Sequence, residues 1–221
     1  ANDNPPVIGS DGGGATAAVS IAENTSAVTT VTATDSDLPA PTLTYSISGG
    51  ADAARFAINA SSGALTFIAA PDYEAPADAG ANNVYDVTVM ASDGSRTDTQ
   101  AIAVTVTPTN DNQPVLNSNG GGATASVSVA ENGAAVTTVT ASDADLPAQT
   151  LVYSIGGGAD AALFSIDSAT GVLTFNSAPD FEAPADSGAD NVYDVTVQVA
   201  DGNGGTGTQA IAVTIGNVNE A

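Results

Sequence analysis

The sequence predicts an all-β protein made of two tandem Greek-key β-sandwich domains with about seven strands each. Three observations lead to this fold class. One module of about 100 residues, a common domain size, occurs twice. Short apolar and polar alternations are separated by turn residues, and no segment has the 3.6-residue period of a helix. A β-propeller blade or a β-solenoid is the alternative architecture, but repeats of those folds are usually much shorter.

The internal repeat is the clearest feature of the chain. SIAENTSAVTTVTATDSDLPAPTLTYSI (20–47) recurs as SVAENGAAVTTVTASDADLPAQTLVYSI (128–155), so that Glu23 and Glu131 lie 108 residues apart. The offset grows by one residue late in the module, because DGNGGTGTQ is one residue longer than DGSRTDTQ. An insertion beside a Gly-rich turn is what a β-hairpin tolerates. The two copies are therefore expected to share one fold.

Strand patterns recur along each copy. In VYDVTVMA (84–91) the side chains of Tyr85, Val87 and Val89 fall on one face and those of Asp86 and Met90 on the other. The last strand of the first copy alternates in the same way through Ile102, Val104 and Val106. Similar segments lie near residues 17, 28, 43, 55, 65, 84 and 100. These segments predict about seven strands per copy.

Composition limits the class of function. The chain has 25 acidic residues against Arg55 and Arg96, and its formal net charge is -23. Such a surface repels phosphate backbones and anionic lipid and attracts divalent cations, so nucleic acid and membrane surfaces are not expected partners. The absence of cysteine excludes a disulfide scaffold, a thiolate nucleophile and a cysteine zinc site. The sequence shows no signal peptide and no apolar membrane-spanning run. Because it starts at Ala1 without a Met, the chain is expected to be a piece of a longer protein.

The aromatic residues favour a core role over an aromatic binding platform. All ten pair across the repeat, and there is no Trp. The pairs are Tyr45 with Tyr153, Phe56 with Phe164, Phe67 with Phe175, Tyr73 with Phe181, and Tyr85 with Tyr193. A carbohydrate platform or a protein hot spot usually uses an exposed Trp or Tyr. Aromatic-driven binding is therefore not expected.

The acidic residues cluster where strands end. In the first copy they form AEN (22–24), DSD (35–37), PDYE (71–74), ASDG (91–94) and NDN (110–112). In this order the motifs resemble those of the cadherin repeat, and the resemblance covers nearly the whole chain twice. The Ala-, Thr- and Gly-rich texture is most similar to cadherin-like repeats of large bacterial surface proteins. The resemblance implies an extracellular, cell-surface location.

The resemblance also implies a domain layout. Residues 1–4 would be the linker remnant of a preceding repeat, and 5–109 would be the first cadherin-like repeat. Residues 110–113 would be a calcium-binding linker, and 114–221 would be the second repeat. Pro114 fixes φ and favours an extended conformation at Gln113.

The same resemblance implies calcium ions, typically three, at the junction of the repeats. The residues that would hold them are Glu23, Asp72, Glu74, Asn110, Asp111, Asn112, Asp143, Asp145 and Asp201. Half-sites are implied at the two ends of the chain. They would use Asn2, Asp3, Asn4, Asp35, Asp37 and Asp93 at one end, and Glu131, Asp180, Glu182 and Glu220 at the other.

Physical chemistry supports calcium at such a junction. Ca²⁺ takes six to eight hard oxygen ligands from carboxylates, amides and backbone carbonyls. Seven of the nine junction residues are carboxylates, and three ions would supply +6 against -7. The family's first linker Asp is Pro108 here, and Thr109 follows it. Backbone or water is expected to replace one or two ligands there. The Gly- and Asn-containing loop that usually follows DxD in the family is replaced here by LPAP (38–41) and LPAQ (146–149).

Other readings of these motifs stay open. An Asp-Gly or Asp-x-Asp in a β-turn is, taken alone, more often a turn former than a ligand. Further acidic residues match no motif and are interpreted as solubilising surface. Examples are Asp52, Asp78, Asp86 and Asp98.

Three classes of function follow, of which we favour a calcium-dependent extender and adhesion module whose partners are neighbouring repeats of the same chain. The second is a module that binds polysaccharide or a like repeat on another cell, as in homophilic adhesion. The third is an enzyme with paired carboxylates as acid and base. The chain has no His, Cys or Lys, and every acidic cluster is duplicated, so an enzyme is not expected.

Overall fold

The computed structural model describes residues 2–220 and divides the chain into two compact units. The first unit ends at Thr109 and the second begins at Asn110. Both units are built from β-strands, with one short 3-10 turn each, at Ala53–Arg55 and Ala161–Leu163. No helix in residues 2–220 has the length and apolar character needed to cross a membrane.

Within residues 2–109 the first unit contains nine strands, two of which have only two residues. They are β1 (Val7–Ile8), β2 (Thr16–Ala22), β3 (Ala27–Thr30), β4 (Ala33–Thr34), β5 (Thr44–Gly49), β6 (Phe56–Ile58), β7 (Ala64–Phe67), β8 (Val84–Ser92) and β9 (Thr97–Thr107). The seven longer strands correspond to the seven predicted segments.

The second unit repeats this order. Its strands are β10 (Val115–Leu116), β11 (Thr124–Ala130), β12 (Ala135–Thr138), β13 (Ala141–Ser142), β14 (Val152–Gly157), β15 (Phe164–Ile166), β16 (Val172–Phe175), β17 (Val192–Ala200) and β18 (Thr206–Gly216).

Each unit is a sandwich of a four-stranded and a three-stranded sheet. In the first unit the orders are β2-β9-β8-β5 and β3-β7-β6, and β1 pairs with β4 at the side. All neighbours are antiparallel except β2 and β9, which run parallel from Thr16 opposite Ala101 to Ala22 opposite Thr107. The second unit has the same orders and the same parallel pair. The predicted fold class, an all-β pair of Greek-key sandwiches, is confirmed.

Alternation along the long strands builds the core. In β8 the side chains of Tyr85, Val87 and Val89 are buried, while Asp86 is exposed and Met90 is half-buried. Successive side chains of a strand point to opposite faces, so one face of each sheet meets the other sheet. All ten aromatic side chains are buried in, or packed against, the core of their own unit. The aromatic residues are therefore core residues, as the repeat pattern predicts.

The prediction that the unmatched aspartates are solubilising surface is wrong for Asp52 and Asp78, which are both buried. The two oxygens of Asp52 accept hydrogen bonds from the backbone N–H groups of Ala79 and Asp86. A buried carboxylate is tolerated when its oxygens are hydrogen-bonded, and these bonds fix the loop before β8. Asp98 is also structural, because its Oδ2 accepts the N–H of Ile8 in β1. Only Asp86 is exposed as predicted.

A buried glutamine fastens the Gly-rich loop of each unit. Gln100 is 0 % exposed, and its Nε2 donates to the carbonyl oxygens of Ser10 and Gly14, at 3.3 and 3.1 Å. Gln209 makes the equivalent bonds to Ser118 and Gly122 in the second unit. These bonds hold loops in which several consecutive residues have positive φ.

Candidate calcium sites

Three carboxylates of the first unit converge where β2 ends, and we call them the first lower set: Glu23, Asp72 and Glu74. One oxygen of each lies within 4.8 Å of the others. Glu23 follows the last residue of β2, and Asp72 and Glu74 lie in the loop after β7. The sequence predicted all three residues for one site, and the fold brings them together.

Backbone hydrogen bonds fix the carboxylate of Glu23, which is 2 % exposed. Its Oε1 accepts the N–H of Thr109 at 2.6 Å and the hydroxyl of the same residue at 3.2 Å. Its Oε2 accepts the N–H of Tyr73 at 2.7 Å. Each oxygen of a carboxylate has two acceptor positions, so Glu23 keeps capacity for a cation after these bonds.

The second unit has an equivalent second lower set: Glu131, Asp180 and Glu182. Glu131 accepts the N–H groups of Val218 and Phe181, at 2.7 and 2.8 Å. These bonds, the first of them above all, hold the pKa of Glu131 below its ordinary value. Glu220 lines the same open cleft as Asp180 and Glu182 and accepts a hydrogen bond from Asn132 Nδ2. The four predicted residues therefore lie together.

The first upper set consists of Asp35, Asp37 and Asp93, whose nearest oxygens also lie within 4.8 Å of one another. Asp93 occupies the turn between β8 and β9, so the 11 residues of β9 separate this set from the first lower set. Asp37 is buried and accepts the N–H groups of Asp3 and Asn4, together with Asn4 Nδ2 at 2.7 Å.

The N-terminal segment is thereby tied to the first upper set. In the amide orientation that its neighbours favour, Asn2 donates to both Asp37 and Asp93. Burial alone would raise the pKa of Asp37, but the hydrogen bonds from Asn4 and Asp3 outweigh it and lower the pKa to about 2. Asp37 is therefore ionised at any physiological pH.

The second upper set contains Asp143, Asp145 and Asp201. Asp145 is 2 % exposed and accepts both the backbone N–H and the side-chain Nδ2 of Asn112, at 3.1 and 2.9 Å. The same Nδ2 donates to the exposed Asp111 at 2.9 Å. Asn110 donates to Asp201 Oδ2 at 3.1 Å. The predicted linker residues thus contact the second upper set directly.

The pKa values of Asp145 and Asp201 both lie below the ordinary value. Burial would raise each pKa, but hydrogen bonds from Asn112 at Asp145, and from Asn203 and Asn110 at Asp201, outweigh burial. Both groups are therefore anionic and would need no deprotonation before binding a cation.

Two residues that contact the second upper set were not predicted from the sequence, namely Gln149 and Gly205. Gln149 Nε2 donates to Asn110 Oδ1 and, at 3.4 Å, to Asp145 Oδ2. Gly205 lies so close to Asp201 that an added Cβ would meet Oδ2 at 2.2 Å. A signal for Gly205 was present, because the extra residue of DGNGGTGTQ is in this turn.

The donors of the four sets fit calcium. They are oxygens only, mainly carboxylates, and no Lys, Arg or His side chain pairs with them among residues 2–220. In both upper sets one buried carboxylate oxygen has no hydrogen-bond partner, namely Asp35 Oδ2 and Asp143 Oδ2. An unpartnered buried anionic oxygen is unfavourable unless a cation meets it. Oxygen-only sets of this kind suit hard divalent cations such as Ca²⁺.

A tandem pair of β-sandwiches, each with acidic oxygen sets at both ends of its long strands, defines a class of repeat protein rather than a single globular domain. Residues 17–107 and 125–218 each match the family model of the cadherin domain. The chain therefore belongs to the cadherin family, as the motifs predict.

Relatives and solved structures agree with this assignment. The chain is 35% identical to mouse Protocadherin Fat 4 over 196 residues. This match covers 87% of the chain and 4% of that relative. It is 33% identical to human Protocadherin Fat 1, over 99% of the chain and 5% of that relative. The fold matches human Protocadherin-24 EC1-2 with a TM-score of 0.70 and 23% identity, covering 98% of this chain and 100% of that one.

The chain thus spans only a small part of the curated relatives that it matches. Cadherin domains are adhesion modules and not enzymes, so paired carboxylates in this chain are not a hydrolytic site. In homologues the domains are extracellular. One solved match consists of the extracellular cadherin domains 3-6 of Protocadherin Gamma B2, with a TM-score of 0.66 and 25% identity. The match covers 99% of this chain and 54% of that one.

Proposed function

We propose that this chain is a calcium-binding pair of extracellular cadherin repeats that extends a large cell-surface adhesion protein. Ca²⁺ would bind at the junction of the two repeats and make the array rigid. The ligands would come from the first lower set, the second upper set and the linker residues Asn110, Asp111 and Asn112. The texture of the sequence favours a bacterial surface protein.

The observation that carries the proposal is the unpartnered oxygen of Asp143. This oxygen is buried in the second upper set, beside the buried carboxylates of Asp145 and Asp201. Three anions held this close repel one another, and the lowered pKa values of Asp145 and Asp201 exclude relief by protonation at neutral pH. A divalent cation removes both the repulsion and the unmet acceptor.

Covalent connectivity supports a shared role for the two sets. Within the first unit Thr109 donates to Glu23, and within the second unit the next residue, Asn110, donates to Asp201. Consecutive residues of the chain are thus each fastened to one acidic set. Bound calcium would neutralise the carboxylates at both ends of this connection, and this would turn a flexible linker into a rigid one.

The proposal is tested by a calorimetric calcium titration of the chain, with thermal melts in chelator and in saturating calcium. Extracellular calcium modules typically bind with dissociation constants of roughly 10⁻⁴ to 10⁻³ M. Each site should stabilise the protein by about 1.4 kcal/mol at tenfold over its dissociation constant. Asp145→Asn and Asp111→Ala should lose or weaken the tightest binding.

Asp86→Asn is the matched control, because it removes one negative charge from an exposed position that belongs to none of the acidic sets. It should leave the titration unchanged. If millimolar calcium produces no binding heat and no change in melting temperature, the motifs are turns only, and the proposal is wrong. The same conclusion follows if Asp86→Asn weakens binding as much as Asp145→Asn does.

A further inference from the structure

A pocket of about 350 Å³ opens on the first unit, beside the 3-10 turn Ala53–Arg55 and the end of β7. Its wall is mostly apolar and includes Phe67, Ile68, Pro71 and Tyr85. Ile68 is 68% exposed, so the apolar wall of the pocket is open to solvent at this side chain. Pockets of about 300 Å³ or more with apolar walls and a few polar groups are typical of small-molecule sites.

The second unit has a smaller version of this pocket, of about 180 Å³. Its lining follows the same positions of the repeat except that of Ala54, with three differences: Leu163 replaces Arg55, Asn176 replaces Ile68 and Ser177 replaces Ala69. Leu163 packs against the core of its unit, whereas Arg55 is exposed and leaves the space open. The larger pocket, the positively charged Arg55 side chain and the exposed Ile68 side chain are thus found in the first unit and not at the equivalent positions of the second.

Arg55 gives the pocket a charge that is rare in this chain. It is one of two cationic side chains against 25 acidic ones. Among residues 2–220 its guanidinium makes no ion pair and no side-chain hydrogen bond. An arginine beside apolar surface binds carboxylates well, because its planar group offers paired donors.

The neighbouring Asp72 narrows the class of ligand. Asp72 also lines the pocket, and its Oδ1 accepts the N–H groups of Glu74 and Ala75. Its carboxylate is therefore held by its own loop rather than by Arg55. Its negative charge disfavours phosphates and other multiply charged anions, while a single carboxylate at Arg55 is tolerated.

We propose that this pocket binds a small apolar monocarboxylate, with its aliphatic or aromatic body against Phe67 and Ile68 and its carboxylate at Arg55. The volume suits a ligand of about ten non-hydrogen atoms. Ligands of this size with one charged contact bind with dissociation constants of about a millimolar. This inference goes beyond the proposed calcium function and does not depend on it.

The test is a two-dimensional NMR titration of the whole chain with 3-phenylpropionate, with the neutral 3-phenyl-1-propanol as the matched ligand. Saturable shifts are expected for amides of residues 54–77 and not for the equivalent amides of residues 162–185. The titration is carried out in chelator, because Asp72 lines the pocket and also belongs to the first lower set. Under this condition its outcome does not depend on whether the acidic sets bind calcium.

Two variants use residues that the fold already accepts in the second unit. Arg55→Leu should weaken binding of the carboxylate by about tenfold, the usual effect of one charge-assisted bond, and leave binding of the alcohol unchanged. Ile68→Asn should weaken binding of both ligands. The inference is overturned if shifts do not saturate, if both units respond equally, or if Arg55→Leu binds the carboxylate as well as the parent chain does.

Discussion

The backbone N–H of Thr109 donates to Oε1 of Glu23 at 2.6 Å, across 86 residues of sequence. Val218 and Glu131 repeat this bond in the second unit at 2.7 Å. In both units the segment after the last strand is thereby fastened to the carboxylate that follows β2 or β11. The carboxylate proposed as a calcium ligand is thus also part of the hydrogen bonding that completes each sandwich.

Glu23→Ala should therefore destabilise the first unit even in chelator. The change leaves the backbone N–H groups of Thr109 and Tyr73 without their acceptor. Loss of bonds to a charged group costs about 1.5–3 kcal/mol. Hydrogen exchange in chelator should show faster exchange of these two amides, with the second unit as an internal control. Glu23→Gln, which keeps one acceptor oxygen, should have a smaller effect, and equal exchange in the parent chain and Glu23→Ala would contradict the assignment.

Gly205→Ala should weaken calcium binding by the second upper set. An added Cβ would lie 2.2 Å from Asp201 Oδ2, so the carboxylate has to move. Gly9→Ala is the control, because a Cβ there meets nothing within 4 Å. Calorimetry should show weaker calcium binding for Gly205→Ala and no change for Gly9→Ala. Unchanged affinity in both variants would mean that Asp201 is not a ligand.

Asp78 should make stability depend on pH in acid. Burial alone would raise its pKa, but the N–H groups of Asn82 and Asn83 outweigh burial, so the pKa in the folded unit lies below the ordinary value of 3.8. The unfolded chain then takes up the proton first. The stabilisation from Asp78 is therefore present above about pH 4 and is lost as the pH falls through the lower folded pKa.

The measurement for Asp78 is chemical unfolding of the parent chain and Asp78→Asn in chelator, from pH 7 to pH 2. Asp78→Asn should be less stable at pH 7 by about 1.5–3 kcal/mol, because it loses a charged acceptor of two N–H bonds. The difference between the two proteins should shrink below pH 4. A difference that stays constant over the whole range would show that the charge of Asp78 contributes nothing.

Gln100→Leu should loosen the Gly-rich loop of the first unit. The substitution keeps the volume but removes the donors to Ser10 and Gly14, whose carbonyl groups then lose a partner. We expect a loss of about 1–3 kcal/mol in the free energy of unfolding. Faster exchange of the Gly13 amide, which donates to Ser10, would locate the effect in the loop. Thr99→Ala, at an exposed position of the same strand, is the control and should change neither quantity.

The fold and the acidic sets could be predicted because their signals are repeated. Alternation in strands such as VYDVTVMA sets which side chains face the core, and the two copies give the same pattern. The grouping of the AEN, DSD and PDYE carboxylates into calcium sites was predicted only because these motifs occur in the order that the cadherin repeat has. Their sequence separation, as between Glu23 and Asp72, contains no distance information by itself.

Other features could not be predicted from residue types. A turn-forming aspartate and a buried one such as Asp78 look alike in sequence, because burial depends on which backbone N–H groups the fold brings to the carboxylate. The same holds for Gln149, whose role depends on the position of Asn110. The pocket at Arg55 depends on the absence of a leucine that fills the equivalent space in the second unit.

In the proposed function, calcium makes the two repeats move as one body. The most direct test is ¹⁵N relaxation of the whole chain, which gives a rotational correlation time for each unit in chelator and in saturating calcium. We expect a clear rise in both correlation times with calcium in the parent chain and in Asp86→Asn, and a smaller rise or none in Asp145→Asn. Correlation times that do not change with calcium, in a chain that calorimetry shows to be saturated, would contradict this expectation.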